Sequence, residues 1–270
     1  ADSYTLLRAN GYFSPKDSYP LAKEAAAKAL ELDDRLAEAH NSMALVRMFY
    51  DWDWSGAERE FKRALELNPG LAGAHHSFAV YLIAMGRFDE AIAEIKRAQE
   101  LDPLSLPINS FVGWVHYFAG NNDEAIEQYK KTLGMDPNFP LAHFYLGWAY
   151  TRKSMHQEAK AVFEKAISLS GHSWGEMTMR GIISAFSDRK DEAQKILDEL
   201  LALSKQRYVC PQCVAGIYTA LDQKDQAFEW LEKAYEEHSS DLIFLKVHKG
   251  WDNIRSDGRF IALLKKVGLE

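Results

Sequence analysis

Residues 64–75, ALELNPGLAGAH, decide the fold, because their frame returns in AQELDPLSLPIN (98–109), TLGMDPNFPLAH (132–143) and AISLSGHSWGEM (166–177). Pro69, Pro103, Pro137 and Gly171 follow one another at intervals of 34 residues by subtraction. A fixed period of this length marks a chain assembled from stacked supersecondary units. Forward, the frame reaches Lys205 and Ser239. Backward, it reaches Asp34 after 35 residues instead of 34, so one extra residue is expected within YDWDWS at 50–55.

Each unit reads as helix, short turn, helix. In RFDEAIAEIKRAQELDP (87–103) the apolar positions Ala91, Ile92, Ile95 and Ala98 follow helical spacing, Asp89 offers a cap and Pro103 stops the run. Gly86 and Gly120 share the repeat position at which a first helix must turn, where glycine tolerates the left-handed conformation. Small residues recur where two helices approach closely. They are Ala44, Ala79, Gly113, Gly147, Gly181 and Ala215 in the first helix, and Ala57, Ala91, Ala125, Ala159, Ala193 and Ala227 in the second. Larger side chains there would hold the helices apart.

This pattern resembles the tetratricopeptide repeat family, with its small residue in the first helix, alanine in the second, an aromatic four residues later (Phe61, Tyr129, Phe163) and a closing proline. The likeness runs from about residue 3 to 240. It implies an all-α fold: a right-handed superhelical α-solenoid of about seven helix-turn-helix units over residues 1–240, with a capping segment over 241–270. In that segment Ser256 or Asp257 is expected to cap a helix whose Phe260, Leu263, Leu264 and Val267 share one side. Stretches such as FYDWDWSGAEREFKRALELNP and DKDQAFEWLEKAYEE are similar to the C-terminal repeat arrays of bacterial winged-helix transcription regulators, nucleotide cyclases and serine/threonine kinases. That narrower likeness implies a possible attached effector domain in a parent protein.

Composition bounds the function. A net charge of -7 without a basic stripe argues against nucleic acid as partner. No apolar run approaches the roughly 18 residues of a membrane span, and ADSYTLLRAN at the start lacks the charged and apolar regions of a signal peptide. An excised soluble region is expected, cytoplasmic or periplasmic, without membrane insertion. No nucleophilic serine motif, phosphate-binding glycine loop or metalloprotease helix is present, so neither catalysis nor a cofactor is expected.

Three local features invite chemistry. His40, His75 and His143 share one repeat position that faces the partner helix, too far apart to hold a common zinc, and read as packing. Cys210 and Cys213, in CPQC at the start of a first helix, could form a redox pair, yet two thiols alone do not complete a zinc site. Within YDWDWS, Trp54 takes the place of Phe88 and reads as packing, and Ser55 with Glu58 reads as a capping box. Trp52, Asp51 and Asp53 are left as inserted surface.

What remains is the face that the first helices present. One expected row is Asn41, His76, Ser110, Phe144 and Thr178; beside it run Leu45, Trp114 and Trp148, then Tyr117, Thr151, Phe118 and Arg152. Hydrogen-bonding side chains next to aromatics suit a peptide or protein with apolar anchors in a concave groove. The alternative function is a sensory region that controls an attached effector by ligand or peptide binding.

Overall fold

The computed structural model describes residues 14–170, 174–187 and 189–270. Among these residues the regular elements are helices, with no strand. They are α1 (Pro15–Leu32), α2 (Ala37–Val46), α3 (Trp54–Leu67), α4 (Ala72–Ala84), α5 (Phe88–Leu101), α6 (Leu106–Phe118), α7 (Asn122–Met135) and α8 (Pro140–Arg152). There follow α9 (His156–Ser170), α10 (Trp174–Phe186), α11 (Lys190–Ser204), α12 (Pro211–Ala220), α13 (Lys224–Glu236) and α14 (Gly258–Lys266). The first helix expected of the opening pair lies outside the described residues. From α3 to α13 the second helices begin at Trp54, Phe88, Asn122, His156, Lys190 and Lys224, one repeat apart each time. The chain is all-α and built of helix-turn-helix repeats.

The turn that ends each first helix explains this regularity. Gly86 and Gly120 have φ of 75° and 86°. The Gly86 N–H donates to Ile83 O and the Arg87 N–H to Leu82 O, each at 2.8 Å, a pairing that satisfies the last carbonyls of the helix. Ser154 and Asp222 hold the same repeat position with φ of 59° and 60° and repeat both bonds, so the motif survives where glycine is absent. Trp52 also holds this position, with φ of 51°. Its closing bond, from the Asp53 N–H to Arg47 O at 2.9 Å, spans one residue more because Arg47–Asp51 form a π-helical turn. The extra residue is therefore absorbed inside the last turn of the first helix rather than inserted as a surface loop.

Two of the expected caps are corrected by the same frame. Helix α3 starts at Trp54, and Asp53 caps it by accepting the Gly56 N–H at 2.9 Å, so Ser55 lies within the first turn. Asp89 likewise falls inside the first turn of α5, after Arg87. In both cases the second helix begins on the bulky residue that precedes the presumed cap.

Two compact units make up the described chain: Gly70–Glu176, and a second in which the residues up to Pro69 join Met177–Glu270. In the first, the pairs α4/α5, α6/α7 and α8/α9 pack through the small positions. A Cβ placed on Gly113 would stand 2.6 Å from the Tyr129 ring, and one on Gly147 would stand 2.5 Å from the Phe163 ring. These aromatics are the ones expected four residues after Ala125 and Ala159, and both are buried.

The position of His40, His75 and His143 packs through polar contacts. His75 Nδ1 and Glu94 Oε2 lie 2.6 Å apart, tying α4 to α5, and His40 Nδ1 meets Glu60 Oε2 at 2.6 Å in the other unit. Asn109 replaces histidine in the next repeat and takes Gln128 as its partner, donated at 3.2 Å to its side-chain oxygen. His143 faces a repeat in which the corresponding residue is Val162. It binds Pro137 O through Nε2 at 2.8 Å, and its Nδ1 is buried without a partner among the described residues.

The second unit joins residues far apart in sequence. The Trp52 ring stacks on Tyr235 and His238 at 5.2 and 4.8 Å between centroids, and His238 also stacks on Tyr50 at 4.5 Å. His238 Nδ1 meets Tyr50 O at 2.9 Å, and Trp54 Nε1 donates to Val267 O at 2.8 Å. Asp51 pairs with Lys23, and Asp53 with Arg47, each at 2.6 Å. Trp52, Asp51 and Asp53 are thus engaged in packing and pairing. Asp257 is the residue that caps α14, accepting the Arg259 N–H at 2.9 Å, and Phe260, Leu263 and Val267 are buried while Leu264 is partly exposed.

Gly147→Ala should lower stability by about 1–3 kcal/mol, through overpacking against Phe163. Gly134→Ala, at an exposed helical site with nothing within 4 Å of the new Cβ, should raise it by about 0.4–1 kcal/mol. Urea melts check both. Trp54→Phe should cost about 1 kcal/mol by removing the indole hydrogen bond. Gly268→Ala, with φ of 69° and a Cβ 3.0 Å from Trp54 Nε1, should cost about 1–2 kcal/mol. The double variant should lose less than the sum, because the shared contact is removed once.

Candidate functional site

In the unit Gly70–Glu176, rings from successive first helices form one continuous network. His76 on α4 meets Phe111 on α6 edge-on at 4.5 Å; Phe111 lies 4.6 Å from Trp114, which contacts Phe118 at 4.6 Å and Tyr145 on α8 at 6.0 Å. From Tyr145 it continues through Phe144 at 5.4 Å to Trp148 at 6.1 Å, and Trp148 sits edge-on to the buried Phe163 at 5.5 Å. Tyr117 lies against Phe118 at 5.5 Å, and the Arg152 guanidinium stands 5.9 Å over the Tyr117 ring. Edge-to-face packing of this kind adds about 0.5–1.5 kcal/mol per pair beyond burial.

Burial sorts the expected residues. Trp114 is 9% exposed and Ser110 3% exposed, so these two lie beneath the surface that the others present. Tyr117, Phe118, Phe144, Trp148 and Thr151 are partly exposed, and Arg152 is exposed. The Thr151 hydroxyl is spent on Gly147 O at 2.8 Å. Asn41, Leu45 and Thr178 belong to the other compact unit, where Thr178 is buried and Asn41 and Leu45 are partly exposed. Phe111 and Tyr145 were not anticipated. Their signal was available: they share one repeat position, 34 residues apart, immediately after the row of Ser110 and Phe144.

Of the expected face residues in this unit, His76 and Ser110 each keep a buried polar atom, Nε2 and Oγ, with no hydrogen-bond partner among the described residues. Enclosure by apolar neighbours pushes the His76 pKa down to about 4, which keeps the ring neutral at physiological pH. Such orphaned groups each carry a desolvation penalty of about 1–3 kcal/mol.

The CPQC thiols lie in the other unit. Both cysteines are free, Cys210 buried and Cys213 partly so. Cys210 Sγ caps α12 by accepting the Cys213 N–H at 3.3 Å. The Cys213 thiol is held above its usual range by its hydrogen bond with Cys210, by burial and by the nearby Asp241 carboxylate. Depressed thiol pKa, the mark of a reactive redox pair, is not the condition of Cys213.

Family models of the tetratricopeptide repeat match residues 52–108 and 113–173. No curated protein sequence matches the chain. Among solved structures it is similar to Pseudomonas aeruginosa PilF, at 20% identity and a TM-score of 0.54 over 76% of this chain and 92% of that one. It is similar to PilW, a widely conserved type IV pilus biogenesis factor, at 18% identity and a TM-score of 0.60 over 82% and 94% of the two chains. A chain of the APC/C hetero-tetramer Cut9-Hcn1 matches at 14% identity and a TM-score of 0.63, over 98% of this chain and 51% of that one. At these identities the likeness is one of fold. No helix among the described residues is long and apolar enough to cross a membrane.

Because His76 protonates far more readily unfolded than folded, its contribution is present above about pH 6.5 and lost as pH falls towards 4. The loss should approach at most about 1.4 kcal/mol per pH unit within that window. Urea melts between pH 7 and 4.5 should show a shallower acid decline for His76→Leu than for the unaltered chain. Parallel curves would contradict the assignment.

Proposed function

Since the chain carries tetratricopeptide repeats over the matched residues 52–108 and 113–173, we propose that it is a non-catalytic protein-interaction module that seats a peptide or protein segment on the aromatic face of residues 70–176. Tetratricopeptide repeats are protein-interaction modules. The observation that carries the finer reading is the run of partly exposed rings, Tyr117, Phe118, Phe144 and Trp148, on two successive first helices. Partly exposed aromatics held by buried ones are suited to anchor apolar side chains, since their rotamers are already fixed and little entropy is lost on binding. Arg152, exposed beside Tyr117, supplies a cation at the edge of this patch.

The partner is a segment bearing at least two large apolar or aromatic side chains, with an acceptor or acidic group placed to reach Arg152. One cation is too few to clamp a free C-terminal carboxylate through several charged contacts, so chain ends are not the expected ligand. Panning a random peptide library on the chain should enrich segments of that chemistry. Trp148→Ala and Tyr117→Ala should each weaken the selected peptides by about 2 kcal/mol. Thermal melts establish that the variants remain folded. Selected peptides that bind folded Trp148→Ala and Tyr117→Ala as tightly as the unaltered chain would place the binding surface elsewhere.

A further inference from the structure

In the unit formed by the chain ends, the 3-10 turn Ser240–Phe244 brings Asp241 against the start of α12. Gln212 fixes this approach by donating from Nε2 to Asp241 O at 3.1 Å. The outcome is a group of three metal-ligating side chains, Cys210, Cys213 and Asp241, whose ligand atoms all lie within 4.8 Å of one another. It is a group of mixed chemistry on two separate elements, 31 residues apart between Cys210 and Asp241. The sequence displays only its thiol pair.

We propose that Cys210, Cys213 and Asp241 form a binding site for a thiophilic divalent cation of the zinc class, with two thiolate ligands and one carboxylate. The spacing suits such an ion. A tetrahedral centre with bonds of about 2.3 Å to sulfur and about 2.0 Å to oxygen requires sulfur–oxygen separations of roughly 3.5 Å and sulfur–sulfur separations of roughly 3.8 Å. Cys210 Sγ and Asp241 Oδ2 already stand 4.0 Å apart, so changes of about half an ångström, within the reach of side-chain rotation, complete the contact.

Two features at the start of α12 suit a bound ion. The Cys213 N–H that reaches Cys210 Sγ at 3.3 Å is the kind of outer hydrogen bond that orients a metal ligand. The N-terminus of α12 adds partial positive charge beside sulfurs that become thiolates. Loading releases one proton from each thiol to solvent, and two thiolates with one carboxylate leave the bound site one negative charge in excess of the dication. Three protein ligands leave the fourth tetrahedral position open. Cys213 and Asp241 are partly exposed, so water can fill it. Binding would pin the Ser240–Phe244 turn, and with it the segment leading to α14, to the last repeat.

The reduced chain is titrated with Co²⁺ under anaerobic conditions. The expected result is one equivalent per chain, with a thiolate-to-cobalt charge-transfer band that Zn²⁺ displaces. Cys210→Ser and Cys213→Ser should each abolish the band. Asp241→Asn, which keeps side-chain size, should weaken binding at least about tenfold, on the scale by which lost coordination partners reduce affinity. A missing band in the unaltered chain, or Asp241→Asn binding cobalt as tightly, would overturn the site. X-ray absorption of the zinc-loaded unaltered chain does not depend on any variant folding. It should count two sulfur neighbours at about 2.3 Å and light-atom neighbours at about 2.0 Å, and fewer than two sulfurs would also overturn it.

Discussion

The structure depends on how closely the two helices of a repeat can approach. At Gly113 and Gly147 there is no room for a single extra carbon, because the rings of Tyr129 and Phe163 occupy the space over the glycine backbone. That contact fixes the separation and the rotation of each pair at once, since a ring pressed on a bare backbone leaves neither helix free to slide. Everything that repeats then follows from it. The turn must close within a set number of residues, the second helix must begin in register, and the side chains on the far face of the first helix fall into rows. The same constraint explains why Ser154 and Asp222 accept the left-handed conformation: a local cost of about 1–2 kcal/mol is smaller than that of losing the pair's packing.

Much of this was legible in the sequence, since the contact leaves a signature in residue size. The glycines and alanines, the aromatic four residues after the second alanine and the closing proline are local facts, and from them the helix pairs were placed in register. The extra residue before Pro69 was also legible by counting, but its structural form was not. A π-helical turn at Arg47–Asp51 is indistinguishable in composition from an ordinary helix end, and what holds Trp52 in place are rings at Tyr235 and His238, over 180 residues away. Ser55 reads as a cap because serine followed three residues later by glutamate is a common start. In this frame a start two residues earlier satisfies more groups, as Asp53 both accepts the Gly56 N–H and pairs with Arg47.

The histidine position shows a different limit. Its repetition and its place against the partner helix were visible, yet the polar group it meets there was not, because that group sits on the other helix. Glu60, Glu94 and Gln128 recur in step with His40, His75 and Asn109, and the pairing emerges only once both helices are aligned. The candidate face was legible in outline for the same reason that the rows exist. Which of its rings lie open was not, because Trp114 is covered by Phe111, Phe118 and Tyr145 from its own and the following repeat.

That covering bears on what the face can do. If Trp114 were exposed, a partner could bury a whole indole, but the ring would first have to be held in one orientation against solvent. Buried, it instead braces the rings that remain open. Phe118 leans on it directly, while Phe144 reaches it through Tyr145 and supports Trp148 in turn. The energy already invested in folding this network thus fixes the geometry of the exposed rings. A partner would gain contact area without having to order the surface it meets, and the residues that hold the repeat together and those that could recognise a ligand become parts of one packed layer.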